Sequence, residues 1–278
     1  MINIKYIKDK YGFYFKSNLG QNFFNNDLLL EEILTNLHIT KEDTILEIGP
    51  GFGVLTEKLL ERAKNVISVE VDSNAVFILN EEFKDYNNFC LINEDFLKMD
   101  LKDIENLNKC VKVIANIPYY ITTPILEKLF TSNLNIEYIG FMLQEEVGNR
   151  ILAKESTKEY GSLTVFSQYY SKPILIKKIS ASNFTPRPKV DSVFIKFEIL
   201  NNRLFQNKQL EKKFLTFVKM CFSRRRKNLY NVLSQFDVSK EQLKEISSDI
   251  QIDFSKRPEN LNIQEFQQIF NVMSNKVD

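Results

Sequence analysis

Short apolar runs alternate with segments of helical periodicity through the first half of the chain. Apolar residues recur at helical spacing over residues 28–37 and again over 54–63, and a further helix is predicted over 124–130. Short apolar runs typical of buried strands lie at 44–48, 65–71, 89–92, 111–115 and 138–143. Strands that alternate with helices predict an α/β fold with a mainly parallel, doubly wound sheet.

The pattern changes toward the C-terminus. Residues 173–179 and 192–199 are two β-rich segments on either side of a proline-containing loop, and we expect them to pair antiparallel at a sheet edge. After about residue 200 the pattern becomes that of polar, basic helices. We therefore predict an α/β domain over residues 1–199 and a small helical domain over residues 200–278.

The total charge does not indicate a nucleic-acid partner, but its distribution does. The 278 residues include 37 Lys and Arg against 36 Asp and Glu, for a net charge of +1. Basic residues nevertheless cluster late in the chain, at Lys172, Lys177, Lys178, Arg187, Lys189, Lys212, Lys213, Lys219, Arg224, Arg225, Arg226 and Lys227. A basic end of the molecule is typical of proteins that contact phosphates, although a run of charges is also common on a solvated helix face.

The number and spacing of the cysteine and histidine residues argue against several classes of protein. Cys90, Cys110 and Cys221 lie far apart and form no C-x-x-C pair, which argues against a disulfide framework or a cysteine metal site. His38 is the single histidine, which argues against a Ser-His-Asp hydrolase and a His-rich metal site. No apolar run approaches the ~18 residues of a membrane span, so we expect a soluble, cytoplasmic protein. The single histidine and the scattered cysteines predict that it binds no metal.

A glycine loop with two acidic residues after it predicts a nucleotide-like cofactor. Residues 47–53 read EIGPGFG directly after a predicted strand, with Gly49 and Gly51 placed for close approach of the backbone to a ligand. Glu70 ends the second strand, where a carboxylate accepts hydrogen bonds from ribose hydroxyls. Asp95 follows the third strand, where it can accept from an adenine amino group. The alternatives are a purely structural turn and a solvated loop acid.

The fourth strand ends in a loop suited to methyl transfer onto an amine. Residues 116–120 read NIPYY. The Asn116 carbonyl, together with a neighbouring backbone carbonyl, would accept from an adenine amino group and direct its lone pair at a sulfonium methyl group. Pro118 stiffens the turn and Tyr119 offers a face for a flipped base. The alternative is a strand-end turn with surface tyrosines.

Several motifs, in order and spacing, carry a family resemblance over nearly the whole chain. They lie at 19–24 (LGQNFF), 47–53, 69–72 (VEVD), 116–124 (NIPYYITTP), 142–147 (MLQEEV), 160–161 (YG), 184–192 (FTPRPKVDS), 224–227 (RRRK) and 257–260 (RPEN). With them the sequence resembles the small-subunit rRNA adenine N6,N6-dimethyltransferases (KsgA type, ribosomal RNA adenine dimethylases). Two positions depart from the usual pattern: Tyr120 stands where many relatives have Asn, and Phe24 where Leu is common.

The resemblance implies a fold, an activity and a partner. The fold is a seven-stranded Rossmann-like methyltransferase domain with a small C-terminal helical domain. The activity is S-adenosylmethionine-dependent dimethylation of two adjacent adenosines near the 3′ end of 16S rRNA, in the small ribosomal subunit or its precursor, with a role in subunit biogenesis. We expect a monomer that needs no metal and no membrane.

The resemblance also implies roles for individual residues. The cofactor-binding set is Asn22, Phe24, Gly49, Gly51, Glu70, Asp95 and Asn116. The catalytic set is Asn116, Pro118, Tyr119 and Phe184, with Tyr119 stacking on the target base and Phe184 covering its other side. The RNA-binding set is Arg187, Lys189, Arg224, Arg225, Arg226 and Lys227.

Three other functions compete with this interpretation. An Erm-type large-subunit rRNA methyltransferase shares the cofactor and catalytic loops, but it is not expected to share the stretches at 142–147 and 184–192. A DNA adenine methyltransferase usually has Pro directly after the catalytic Asp or Asn, where Ile117 stands here. A non-catalytic ribosome assembly factor is the alternative from another class, and Glu70, Asp95 and Asn116 argue against it.

Overall fold

The structure, a computed structural model, describes residues 2–12, 22–105, 110–201, 204–205, 207–236 and 238–274. Its backbone contacts divide the chain into two compact units. The first consists of Met1–Gly148 with Ile174–Ile199, and the second of Asn149–Pro173 with Leu200–Asp278. None of the helices in these described ranges has the length and apolar character needed to cross a bilayer.

The described strands form one large sheet and one short ribbon. In chain order they are β1 (Phe23–Phe24), β2 (Thr44–Ile48), β3 (Asn65–Glu70), β4 (Phe89–Asn93), β5 (Val111–Ala115), β6 (Ile136–Gln144), β7 (Ser171–Ile179), β8 (Phe184–Thr185) and β9 (Ser192–Ile199). The sheet has the order β4-β3-β2-β5-β6-β9-β7, and β1 pairs with β8 in the ribbon. The predicted seven-stranded α/β fold is therefore confirmed.

Helices connect the parallel strands of the first unit and make up most of the second. In chain order they are α1 (Ile4–Tyr11), α2 (Asp27–Asn36), α3 (Val54–Arg62), α4 (Ser73–Glu82), α5 (Lys102–Glu105), α6 (Thr122–Thr131), α7 (Glu145–Ile151), α8 (Ser162–Tyr170), α9 (Lys208–Ser223), α10 (Leu229–Leu233), α11 (Lys240–Asp249) and α12 (Ile263–Met273). Asn26 begins α2 by accepting a hydrogen bond from the Leu29 backbone, and Asp72 does the same for α4 through Asn74.

The order of strands places a crevice between β2 and β5. Both strands are buried along their full length and run parallel to one another. From β2 the chain continues outward to β3 and β4 on one side, and it returns to β5 and β6 on the other. Ligands of doubly wound sheets bind at such a reversal, beyond the carboxyl ends of the strands.

The far edge of the sheet is where the predicted β-rich segments lie. β7 is the edge strand and β9 is its neighbour, so both segments are strands at the edge, as expected. β9 runs antiparallel to β6, with Phe141 opposite Ile195. Gly148 on α7 leaves room for this strand, because a Cβ there would lie 2.2 Å from the Val193 side chain.

The second unit has an aromatic core that includes an earlier stretch of chain. Phe214, Phe217 and Phe270 are buried from solvent, and the Phe270 ring packs against the other two. The Tyr169 and Tyr170 hydroxyls both donate to the buried Glu211 carboxylate on α9. The Tyr160 hydroxyl donates to the Leu261 carbonyl over 2.8 Å. These bonds place residues 149–173 with the C-terminal helices, whereas the sequence prediction put them in the domain over 1–199.

Candidate cofactor and substrate site

A pocket opens at the carboxyl ends of β2, β3 and β5. The side chains and loops that line it come from segments far apart in the sequence but joined at the reversal of strand order. They include Asn22, Phe24, Glu47, Gly49, Gly51, Glu70, Glu94, Asp95, Phe96, Asn116, Pro118, Tyr120 and Ile121. The structure thus brings all seven predicted cofactor-binding residues to one pocket, together with Pro118 of the catalytic set.

The glycine loop adopts a backbone that side chains rarely allow. Gly49 and Gly51 have φ angles of 67° and 58°. A Cβ on Gly51 would also lie 2.9 Å from the Phe23 ring, which stacks on Phe52 with ring centroids 4.7 Å apart. The glycines therefore let the loop bend tightly under the pocket while β1 packs against it.

The Glu70 carboxylate organises the floor of the pocket. It accepts from the backbone N–H groups of Gly51 at 3.0 Å and of Val71 and Asp72, both at 2.8 Å. Burial raises the pKa of Glu70, and the three amides oppose that effect by stabilising the charged form. Glu70 therefore ties the glycine loop to the β3–α4 turn, and any ribose hydroxyl would share its oxygens with these amides.

Glu47 is a second buried carboxylate that the sequence analysis did not single out. Its Oε2 accepts from the Thr56 hydroxyl at 2.8 Å and from the Ser68 hydroxyl at 2.7 Å. Its Oε1 is buried and has no hydrogen-bond partner among the described residues. Burial raises the pKa of Glu47 to about 7. The available signal was an acidic residue inside a short, mainly apolar strand, two positions before Gly49.

The raised pKa of Glu47 predicts a pH-dependent stability. Between an ordinary glutamate pKa of about 4.3 and pH 7 the folded state binds a proton at Glu47 that the unfolded state does not. The free energy of unfolding should therefore fall by about 3 kcal/mol as the pH rises from 5 to 8. In Glu47→Gln that contribution is absent, so the difference between the two proteins should change by this amount in urea unfolding curves. Parallel pH profiles for the two proteins would contradict the assignment.

The loop after β4 holds Asp95 and Phe96 at the pocket. The Leu97 backbone N–H donates to the Asp95 carboxylate over 3.0 Å, and Lys98 pairs with the same carboxylate at 3.6 Å. Phe96 is buried. Asp95 therefore keeps a partly exposed carboxylate toward the pocket while the ring after it anchors the loop.

The catalytic loop is tied to the N-terminal segment of the pocket. The Asn116 side-chain amide donates to the Asn22 carbonyl over 3.2 Å, which leaves the Asn116 Oδ1 as an acceptor. Pro118 leads into a short 3-10 turn, Tyr119–Ile121, in which the Tyr120 side chain is 68% exposed. The Tyr119 side chain and residues 19–21 of the LGQNFF motif lie outside the described part of the structure.

Phe184 packs against β1 in the short ribbon. β8 pairs with β1 so that Phe24 and Phe184 are opposite one another, with ring centroids 5.3 Å apart. Phe184 is 2% exposed and does not line the pocket. Its ring lies edge-on against Phe24, and its assignment to the target base stays a prediction.

The predicted RNA-binding cations fall into two groups. Arg187, Lys189, Arg224, Arg226 and Lys227 are exposed. Arg225 instead donates through Nε to Glu259 at 2.6 Å and through Nη2 to the carbonyls of Thr157 and Lys158. Arg225 is thereby engaged inside the second unit and joins the 154–160 loop to the turn that contains Glu259.

This network predicts that Arg225→Ala destabilises the protein. Removing the guanidinium deprives the Glu259 carboxylate and two backbone carbonyls of donors. Because the Arg225–Glu259 pair is partly exposed, the free energy of unfolding should fall by only about 1 kcal/mol. Arg226→Ala is the matched control, and it should change the free energy of unfolding by less than about 0.5 kcal/mol. Urea unfolding of both variants tests this, and equal effects would show that the Arg225 network carries no stability.

The sequence of this chain is similar to those of known proteins along nearly its whole length. Residues 12–275 match the family model described as ribosomal RNA adenine dimethylase. The chain is 45% identical over 265 residues to a ribosomal RNA small subunit methyltransferase A of Clostridium botulinum strain Kyoto, covering 95% of this chain and 96% of that protein. It is 42% identical over 264 residues to the protein of the same name from Clostridium acetobutylicum, covering 95% of both.

Solved structures have the same fold. A dimethyladenosine transferase from Plasmodium falciparum superposes with a TM-score of 0.79 at 26% identity, covering 91% of this chain and 98% of that one. The 23S rRNA methyltransferase ErmE superposes with a TM-score of 0.69 at 22% identity, covering 92% of this chain and 100% of that one, which shows the fold alone. With a pocket at the carboxyl ends of β2 and β5 and relatives that match along nearly its whole length, the chain belongs to the ribosomal RNA adenine dimethylase family.

Proposed function

We propose that this protein transfers methyl groups from S-adenosylmethionine to the N6 amino groups of two adjacent adenosines near the 3′ end of 16S rRNA, in the small ribosomal subunit or its precursor. The observation that carries the proposal is that Gly49, Glu70, Asp95 and Asn116 meet in one pocket at the reversal of strand order. Family membership and relatives named ribosomal RNA small subunit methyltransferase A support the substrate.

The charge of the pocket suits a cationic cofactor. Four carboxyl groups, those of Glu47, Glu70, Glu94 and Asp95, line it, and a ligand with a sulfonium and an ammonium group complements the negative charge of those that are ionised. In this proposal Gly49 and Gly51 lie under the methionine part, Asn22 and Phe24 close the N-terminal side, Glu70 holds the ribose and Asp95 holds the adenine.

The reaction depends mainly on alignment. When bound, S-adenosylmethionine supplies an electrophilic methyl group. Asn116 holds the target amine through its Oδ1 and a neighbouring backbone carbonyl, which favours a pyramidal nitrogen with its lone pair directed at that methyl group. The Asn22 carbonyl fixes the Asn116 side chain, and Pro118 limits motion of the loop. The methylated amine is acidic enough to lose its proton to water.

RNA contacts in this proposal come from exposed cations. Arg187, Lys189, Arg224, Arg226 and Lys227 can neutralise phosphates, which positions the RNA without specifying its sequence. Tyr119 is assigned to stack on the target base. Phe184 is assigned to cover the other face of the base, and Arg225 acts indirectly by holding the 154–160 loop. We expect a monomeric enzyme in the cytoplasm.

The test is methylation of isolated ribosomal subunits. The purified protein and S-adenosylmethionine are incubated with small subunits that lack the modification, with large subunits in parallel, and the digested RNA is analysed by mass spectrometry. Dimethyladenosine from small subunits alone is the expected product. Product on large subunits would support the Erm-type activity instead. Cofactor binding without product on either subunit would favour a non-catalytic assembly factor.

A further inference from the structure

Lys128 makes contacts at the pocket that none of the assigned roles uses. It lies on α6, and its ammonium donates to the Phe96 carbonyl over 2.6 Å and to the Met99 carbonyl. The same ammonium lies 5.3 Å from the centroid of the Phe96 ring. The side chain is half-buried, so these two backbone carbonyls and the ring take the place of water around the charge.

The loop that Lys128 binds is the one that carries Asp95. Backbone N–H groups of Lys98 and Met99 both donate to the Asp95 carbonyl over 2.9 Å, so the loop turns tightly around this residue. The turn itself does not supply a donor for the Phe96 and Met99 carbonyls, and both accept from the Lys128 ammonium instead. Burial lowers the pKa of Lys128, whereas the nearby carboxylates of Asp95, Glu94 and Asp100 favour its charged form.

Lys128 also joins two parts of the pocket that the sequence places about 20 residues apart. α6 begins at Thr122, directly after the 3-10 turn that follows Asn116 and Pro118. A side chain on this helix that binds the 94–99 loop fixes the distance between the catalytic loop and Asp95. Among the described residues, no other cationic side chain donates to the Phe96 or the Met99 carbonyl.

We propose that Lys128 is a positioning residue for recognition of the cofactor's adenine. By holding the Phe96 and Met99 carbonyls it keeps the Asp95 carboxylate in place to accept from the adenine amino group and keeps the Phe96 ring beside the base. This inference rests on the proposed function, because it takes the ligand of the pocket to be an adenosine derivative. Lys128 itself contacts neither ligand nor reacting atoms in this proposal.

A positioning role predicts a loss of selectivity as well as affinity. S-adenosylhomocysteine carries the amino group that Asp95 would accept from, and S-inosylhomocysteine has an oxygen in its place. In the wild type the adenine ligand should bind more tightly. In Lys128→Met the dissociation constant for S-adenosylhomocysteine should rise about tenfold, and the dissociation constant for S-inosylhomocysteine should rise much less. The preference for the adenine ligand, which is the ratio of the two constants, should therefore decrease. Lys128→Arg, which can donate to both carbonyls, should restore most of the preference.

Calorimetric titration of both ligands into the full-length protein makes the test. Lys98→Met is the matched control, because Lys98 also pairs with Asp95 but is exposed and binds neither loop carbonyl in the structure. It should change both dissociation constants by less than about twofold. If Lys128→Met does not fold, Lys128→Gln replaces it, with the same expected loss of preference relative to Lys128→Arg.

The possible outcomes separate the two proposals. An unchanged preference in Lys128→Met, or an equal loss for both ligands accompanied by a lower melting temperature, would overturn the positioning role. A preference reduced as much in Lys98→Met as in Lys128→Met would assign the effect to charge alone and would also overturn it. If the wild type bound neither ligand, the proposed cofactor would be wrong and the proposed function would fail first.

Discussion

Asn116→Ala should reduce the rate of adenosine dimethylation by about 100- to 1000-fold, the loss typical of removing one aligned polar group from a reacting centre. The variant loses the Oδ1 acceptor that directs the target amine, and it also loses the bond to the Asn22 carbonyl that holds this side chain. The rate should fall mainly through kcat, measured as dimethyladenosine formed per enzyme on small subunits at saturating cofactor.

Two controls make the Asn116 result interpretable. The dissociation constant for S-adenosylhomocysteine should rise far less than kcat falls, because Glu70 and Asp95 remain in place. Asn36→Ala removes an exposed asparagine at the end of α2, whose side-chain amide donates to the Glu32 backbone carbonyl, and this variant should methylate at the wild-type rate. Wild-type turnover by Asn116→Ala would remove this residue from the reaction.

Glu70→Ala should lower both stability and cofactor affinity. Three backbone N–H groups, those of Gly51, Val71 and Asp72, lose their acceptor in a buried site. Leaving them without partners should cost roughly 3 to 5 kcal/mol in the free energy of unfolding, measured in urea without ligand. Cofactor binding should fall by more than about 100-fold, because the ribose acceptor is lost and the glycine loop is released.

Glu94→Ala is the matched control for this prediction. Glu94 lines the same pocket and carries the same charge, but it is exposed and does not bind the glycine loop. Its replacement should change the free energy of unfolding by less than about 0.5 kcal/mol. If Glu70→Ala were as stable as Glu94→Ala, the three amide bonds would contribute nothing to the folded state.

Local patterns predicted most of the first unit. The runs at 44–48 and 111–115 match β2 and β5 residue for residue, because strands buried on both faces carry a mainly apolar signal, interrupted here only by Thr44, Glu47 and Lys112. α4 was not predicted, since Ser73–Glu82 presents only a weak apolar stripe between its polar residues. The 149–173 segment was placed in the first domain because its partners, Glu211 and Leu261, are distant in sequence.

The site was predicted in its composition but not in its contacts. Gly49, Glu70, Asp95 and Asn116 follow strand ends, and strand ends of a doubly wound sheet meet, so their convergence could be expected. The contact between the Phe24 and Phe184 rings depends on the pairing of β1 with β8, which are about 160 residues apart. Likewise, a lysine on an amphipathic helix gives no sequence signal that its ammonium binds two loop carbonyls, as Lys128 does.

The division of the chain has a consequence for how the protein can be cut or recombined. The polypeptide passes from one unit to the other at residues 148–149, 173–174 and 199–200. A fragment ending at residue 199 would keep Tyr160, Tyr169 and Tyr170 while losing Leu261 and Glu211, so three buried hydroxyls would lose their acceptors. A chimeric protein that takes its second unit from a relative must therefore take both segments from it, 149–173 and 200–278, because each segment supplies hydrogen-bond partners to the other.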